Sequence, residues 1–228
     1  MGIHDGHRAR MKKEFLEGGL SAFSDLRALE LLLFYSRLQG DVNPIAHALL
    51  DTFGSLAGVL DADPEQLLTV PGVGTNTAVL LKLVPALAAK YLASRTDPDT
   101  ILRSTQDLYE IFSPCFFGAK NEMSFLACFD SKLKLLGVRK LSEGTPLGTD
   151  IGVRQIASAA LALNATAVVL AHNHPSGLAT PSNEDISTTR YVHEVLKKLD
   201  ITLYDHVILS DDDMVSLRDS GYFLAFQY

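Results

Sequence analysis

One stretch of the sequence brings together side chains that can bind a metal ion. Ala167–Ala171 is an apolar run typical of a buried strand, and His172 and His174 follow it directly. Side chains two positions apart in an extended chain point to the same side, so both imidazoles can face one ion. Asp185 lies in the first turn of the next predicted helix, and the loop 175–181 can fold that helix back toward the strand. These three residues form a predicted metal site.

Two imidazoles and one carboxylate form a ligand set that suits zinc. Three protein ligands leave the fourth tetrahedral position open, and water held there has its pKa lowered toward ~7. The set therefore predicts a catalytic site with one Zn²⁺ per chain, although such ligands also bind other divalent ions. A hydrolase is expected.

An open zinc site also needs a base and an oxyanion donor. Glu122, in the turn before the predicted strand 123–129, is the predicted general base, and Glu143 is its rival. The Ser182 hydroxyl is expected to donate to the developing oxyanion. Ser182 and Asp185 also have capping-box spacing, so they can finish a helix N-terminus as an alternative or additional role.

Two features near the C-terminus have simpler alternatives. His206 is either a hydrogen-bond partner of the site or, as is commoner for a single histidine in a strand, purely structural. The run Asp211–Asp213 lacks the glycine and distal glutamate of a calcium-binding loop, so a polar turn is predicted there.

The elements that must position these residues fall into two regions. Residues 1–95 show helical spacing and helix-start signals, which predicts an all-α domain. Residues 96–228 alternate between helix and strand, which predicts a mixed α/β sheet with packed helices. The polar segment Ser94–Thr100 is the predicted boundary. The second region's predicted helices are 104–116, 152–163 and 183–199, and its predicted strands are 123–129, 133–140, 165–171 and 202–209.

The composition is that of an ordinary folded protein. Of 228 residues, 47% are hydrophobic and 21% charged, and the net charge of −7 argues against a uniformly basic nucleic-acid binder. We expect a cytoplasmic protein without a membrane partner, because neither a membrane span nor a signal peptide is present in the sequence. Cys115 and Cys128 lack metal or disulfide spacing and are predicted to be reduced structural thiols.

The site residues resemble a known signature. His-x-His, seven residues, Ser, two residues and Asp, with an upstream Glu, is similar to the JAMM (JAB/MPN) metalloprotease motif. More narrowly, HNHPSG, PSNED and DHVIL resemble the RadC family over nearly the whole chain. The resemblance implies a JAMM fold similar to the cytidine deaminase sandwich, with a peptide or protein as substrate.

Residues 67–83, LLTVPGVGTNTAVLLKL, resemble a helix-hairpin-helix. Gly72 and Gly74 allow a tight turn, and the amides at the start of the helix from Thr75 can meet a phosphate. No Lys or Arg follows the hairpin before Lys82, so DNA binding through this domain is expected to be weak.

Three functions remain in competition. A zinc peptidase or isopeptidase, placed on DNA or protein by its helical domain, fits the site. A metal-dependent nuclease or DNA repair enzyme fits the hairpin, although such enzymes often use two metal ions. The third is a non-enzymatic binding module. Scaffold relatives of this kind are expected to lose metal ligands, whereas this sequence keeps all of them, which weighs against this alternative.

Overall fold

The chain divides into two compact units, Met1–Ala88 and Ala89–Tyr228. The computed structural model describes residues 3–94, 100–144, 150–175, 177–210 and 213–226. The division falls inside a helix that spans Thr75–Ser94. The sequence-based boundary between residues 95 and 96 lies outside the described residues.

The first unit is helical. Its helices are α1 (Ile3–Gly18), α2 (Asp25–Ser36), α3 (Asn43–Phe53), α4 (Leu56–Asp61), α5 (Pro64–Leu68) and the start of α6 (Thr75–Ser94). Local signals explain where they begin: Pro44 occupies the first turn of α3, and the Ser55 hydroxyl caps α4 by accepting from the Gly58 amide. A core of leucines including Leu29, Leu49 and Leu67 holds them together, so the predicted helical character is confirmed.

The second unit is built on one five-stranded sheet. Its elements are α7 (Thr105–Phe116), β1 (Met123–Phe129), β2 (Leu135–Glu143), α8 (Asp150–Ala162), β3 (Ala167–Asn173), α9 (Asn183–Lys197), β4 (Thr202–Leu209), β5 (Met214–Ser216) and a 3₁₀ helix (Tyr222–Phe226). The strand order is β2-β1-β3-β4-β5. Among the described strands only the β3–β4 pair is parallel, with α9 as its crossover, so the predicted mixed sheet is confirmed.

Alternate residues of the strands pack on opposite faces of the sheet. Ala127 and Val169 belong to the core that includes Phe112 of α7. Leu126, Cys128, Val168 and Leu170 belong to the opposite core, with Ile156 of α8 and Val192 of α9. Because side chains alternate along a strand, the position of each site residue in its strand determines on which face of the sheet it lies.

Strand bounds agree with the sequence at β1 and β4 and differ at β3. That strand starts and ends two residues later than predicted, because His172 pairs with Ser124 and Asn173 pairs with Leu209. Strand β5 was not predicted, and Asp211 and Asp212, just before it, lie outside the described residues. No helix in the described ranges is long and apolar enough to cross a membrane.

Candidate metal centre

His172 faces α9 because of its position in β3. Val168 and Leu170 face the core beneath α8 and α9, so the next residue in the alternation points the same way, and His172 is buried. The amide of His174 donates to the carbonyl of Leu209 at 2.8 Å, which continues the pairing just past the strand. Both imidazoles therefore reach the first turn of α9.

Three donor atoms converge at that turn. Nε2 of His172 lies 3.1 Å from Nε2 of His174 and 3.2 Å from Oδ1 of Asp185. Nε2 of His174 lies 3.8 Å from Oδ2 of Asp185. Tetrahedral zinc with bonds of about 2.0–2.1 Å sets its ligand atoms roughly 3.3 Å apart. The spacing and the chemistry of this donor set fit such an ion, and the structure brings all three predicted ligands together.

Asp185 also completes the helix start. The Ser182 hydroxyl accepts from the Asp185 amide at 3.1 Å, and the Ser182 hydroxyl and amide donate to Asp185 Oδ2 at 2.6 and 2.8 Å. The predicted capping box is therefore present. It uses Oδ2 of Asp185, so Oδ1 is left to face His172. Burial would raise the pKa of the Asp185 carboxyl, but its contacts with the His172 ring and with the Ser182 hydroxyl and amide hold that pKa well below its ordinary value. An ionised carboxylate is what a metal ligand requires.

The other ring nitrogen of His174 has a fixed partner. Nδ1 lies 3.0 Å from the carbonyl oxygen of Leu178. A carbonyl oxygen only accepts, so Nδ1 carries the proton in this contact and Nε2 of the neutral ring is free to bind a metal.

His206 lies directly behind His172. Its Nε2 is 2.8 Å from Nδ1 of His172, and its Nδ1 is 2.6 Å from the hydroxyl oxygen of Thr189. Burial lowers the pKa of His206 well below its ordinary value. Thr189 was missed by the sequence analysis, although a polar residue on the buried stripe of α9, four positions after Asp185, is a usable signal.

Glu122 lies one residue before β1 and is exposed. The β1–β3 register pairs Ser124 with His172, and its extension by two residues sets Glu122 opposite His174. Alternation along the strand also puts Glu122 on the face that Leu126 shares with α9. The register and alternation of β1, continued past its first residue, favour Glu122 as the base, and this role stays a prediction.

The main chain around Glu122 is tightly held. The side chain of Asn173 accepts from the Met123 amide at 2.7 Å and donates to the Asn121 carbonyl at 3.2 Å. The amide of Gly144 donates to the Glu122 carbonyl at 2.7 Å. Asn173 points away from the metal side, as alternation predicts, and it fixes the segment that carries the base.

The rival base is otherwise engaged. The Glu143 carboxylate contacts Nζ of Lys140 at 2.5 Å and Nδ2 of Asn121 at 3.4 Å. The bond from Lys140, followed by that from Asn121, lowers the pKa of Glu143. A carboxylate held by a cation is a poorer proton acceptor than one facing the site, which favours Glu122.

The structure brings together only some of the residues that were predicted to bind DNA. Gly72 has φ +86°, and a Cβ there would lie 3.0 Å from Cγ1 of Ile45, so the turn needs glycine; at Gly74 a Cβ would meet open space. The ammonium of Lys82 lies 2.6 Å from the Leu60 carbonyl, away from the hairpin. One depression of this unit is lined by Ser36, Arg37, Gly72, Gly74, Thr75, Asn76 and Thr77.

Comparison with known proteins shows the family to which the chain belongs. Residues 102–222, which contain all three ligands, match the RadC-like JAB domain family, and residues 44–83 match the SAM-like helix-hairpin-helix tandem family. A UPF0758 protein from Ruegeria pomeroyi is 36% identical over 216 residues, which cover 95% of this chain and 96% of the relative. The chain therefore belongs to the RadC family.

Proposed function

We propose that this chain is a zinc-dependent hydrolase of the JAMM metalloprotease type that cleaves a peptide or isopeptide bond. The observation that carries the proposal is the convergence of His172, His174 and Asp185 at distances that suit one tetrahedral ion. The capped first turn of α9 and the end of β3 hold these donors in place before any substrate arrives.

The residues divide the chemistry between them. Zinc held by the three ligands would polarise the scissile carbonyl and lower the pKa of the water at the open position of the ion. Glu122, one residue before β1, would take the water's proton and return it to the leaving amine. Ser182, whose hydroxyl donates its one proton to Oδ2 of Asp185 at 2.6 Å, would turn from that carboxylate to donate to the charge that develops on the carbonyl oxygen.

Metal content measured by elemental mass spectrometry tests the site first. We expect one zinc per chain in the parent and its loss in H174A and D185N. Glu184 is an exposed carboxylate in the same helical turn, so E184Q is the matched control and should keep its zinc. A parent that takes up no zinc when it is supplied would overturn the proposal.

Hydrolysis of peptide and isopeptide libraries tests the base. E122Q should keep zinc and lose turnover, whereas E143Q, at the rival position, should keep both. Equal turnover by zinc-loaded E122Q and the parent would show that Glu122 is not the base.

The helix-hairpin-helix match favours a second candidate, a DNA-binding or DNA-processing protein. In this alternative the hairpin of the first unit would dock weakly on DNA, and the metal site would act as a nuclease or serve no catalysis. Assays on single-stranded, double-stranded and branched DNA separate the candidates. Cleavage that disappears in D185N would favour the nuclease, and its absence on every substrate would remove it.

A further inference from the structure

A buried chain of hydrogen bonds connects one metal ligand with the main chain of another. Nδ1 of His172 lies 2.8 Å from Nε2 of His206, and Nδ1 of His206 lies 2.6 Å from Oγ1 of Thr189. Oγ1 of Thr189 lies 2.5 Å from the carbonyl oxygen of Asp185. The chain thus passes from β3 through β4 to α9, which are the elements that meet at the metal centre.

Its last contact fixes the direction of all the others. A carbonyl oxygen can only accept, so the single hydroxyl proton of Thr189 goes to Asp185, in the common back-bond of a helical threonine. The Thr189 oxygen then has only lone pairs to offer, so Nδ1 of His206 must be the donor. A neutral imidazole carries one N–H, which leaves Nε2 of His206 as an acceptor for the Nδ1–H of His172.

The opposite direction is incompatible with the distances. It would send the Thr189 proton to His206 and leave two oxygen atoms, Oγ1 of Thr189 and the Asp185 carbonyl, 2.5 Å apart with no proton between them. A charged His206 is equally disfavoured, because this side chain is 1% exposed and neither of its ring contacts among the described residues is a carboxylate.

We propose that Thr189 and His206 are positioning residues that hold a proton on Nδ1 of His172 and so direct its Nε2 to the metal ion. The Leu178 carbonyl does the same for His174 at 3.0 Å, so both imidazoles present the same nitrogen. The inference rests on the metal site of the proposed function and is independent of the scissile bond. Partners of this kind orient the ring and increase the basicity of the ligand.

Two substitutions of Thr189 test the role of its hydroxyl. Thr189 is fully buried, and T189V keeps its shape but removes the acceptor of His206, whereas T189S keeps the acceptor. In T189V the His206 proton is expected to move to Nε2, where it faces Nδ1 of His172. The His172 proton then moves from Nδ1 to Nε2, the nitrogen that would bind zinc. We expect the dissociation constant for zinc, measured by chelator competition, to rise about 10- to 100-fold in T189V. T189S should stay close to the parent.

Long-range ¹H–¹⁵N spectra of the metal-free, full-length chain report directly which ring nitrogens of His172 and His206 carry protons. The parent and T189S should show Nδ1–H on both His172 and His206, and T189V should lose this pattern. Thermal unfolding of the same samples shows whether T189V is folded. A parent with the His206 proton on Nε2, or a folded T189V with parental zinc affinity, would overturn the inference. A parent that binds no zinc would refute the proposed function, while these spectra would still decide the direction of the hydrogen bonds.

Discussion

The side-chain oxygen of Asn173 lies 2.7 Å from the main-chain nitrogen of Met123. Asn173 stands between the two histidines of the metal centre, and Met123 follows Glu122. With its second bond, to the Asn121 carbonyl, this one side chain holds the main chain on both sides of the proposed base. The strand that carries the metal ligands therefore also sets the position of the base.

The first prediction concerns this contact. N173A should lower the free energy of unfolding by about 1–3 kcal/mol, because a partly buried amide and carbonyl lose their partner. Zinc affinity should change far less than in H174A, since the Asn173 side chain points away from the ligands. Urea unfolding and a zinc titration measure the two effects.

N121A is the control for Asn173, because it keeps the main-chain carbonyl that Asn173 binds and removes only an exposed side chain. Its stability should stay within about 0.5 kcal/mol of the parent. If N173A lost zinc as completely as H174A does, Asn173 would belong to the ligand set instead.

Much of the α/β unit could be predicted from alternation and turn residues. The predicted bounds of β1 and β4 match the structure, because both strands are mostly apolar and are flanked by polar turn residues. The start of β2 could not be predicted, because Leu133 adopts a left-handed φ of 59° in a turn closed by Asp130. A positive φ at leucine has no sequence signal, since it depends on the side-chain bonds of the turn.

The convergence of the predicted metal ligands could be predicted because they are local: they lie at the end of one strand and the start of the next helix. The partners behind them could not be predicted. For His206 the sequence favours a structural role, which is the commoner role for a single histidine in a strand. The parallel pairing of β3 with β4 is what brings its ring to His172. Contacts of this kind depend on tertiary pairing, which strand spacing alone does not specify.

Asp205 gives a prediction about pH. Its buried carboxylate accepts from the amides of His206 and Arg218 and from the Ser216 hydroxyl. D205A should cost about 2–4 kcal/mol, because these donors lose their acceptor. D205N keeps an acceptor for the amides and removes the buried charge.

Burial raises the pKa of the Asp205 carboxyl above its ordinary value of 3.8, although its hydrogen bonds lower it. With a folded-state pKa above the unfolded value, the contribution of this group to stability is lost as the pH rises through the folded pKa. The stability of D205N relative to the parent should therefore increase in urea titrations as the pH rises above about 4, the ordinary pKa of the group. A constant difference would contradict the assignment.

The cysteines should be inert in the folded protein. Burial raises the pKa of both Cys115 and Cys128 to about 11, so roughly a thousandth of each thiol is ionised at pH 8. Iodoacetamide should modify neither residue until denaturant is added, after which both should react. Mass spectrometry of tryptic peptides gives the extent at each site, and rapid labelling of either cysteine before unfolding would contradict the burial.

Two hairpin glycines should behave differently. G72A should destabilise the first unit by about 1–3 kcal/mol, because alanine is strained at φ +86° and its Cβ would crowd Ile45. G74A should leave stability nearly unchanged, since its Cβ meets open space. Only G74A is therefore informative in fluorescence anisotropy with a labelled duplex, where weaker binding supports docking through the hairpin and unchanged binding argues against it.

The parallel pairing of β3 with β4 also orders events during synthesis. The three zinc donors leave the ribosome before His206, because β4 follows α9 in the chain. A nascent chain that has emerged only as far as Lys197 carries every ligand but lacks the ring that holds His172. Under the proposed function, such a chain would hold zinc more weakly than the finished one, because the ring that orients His172 is still missing.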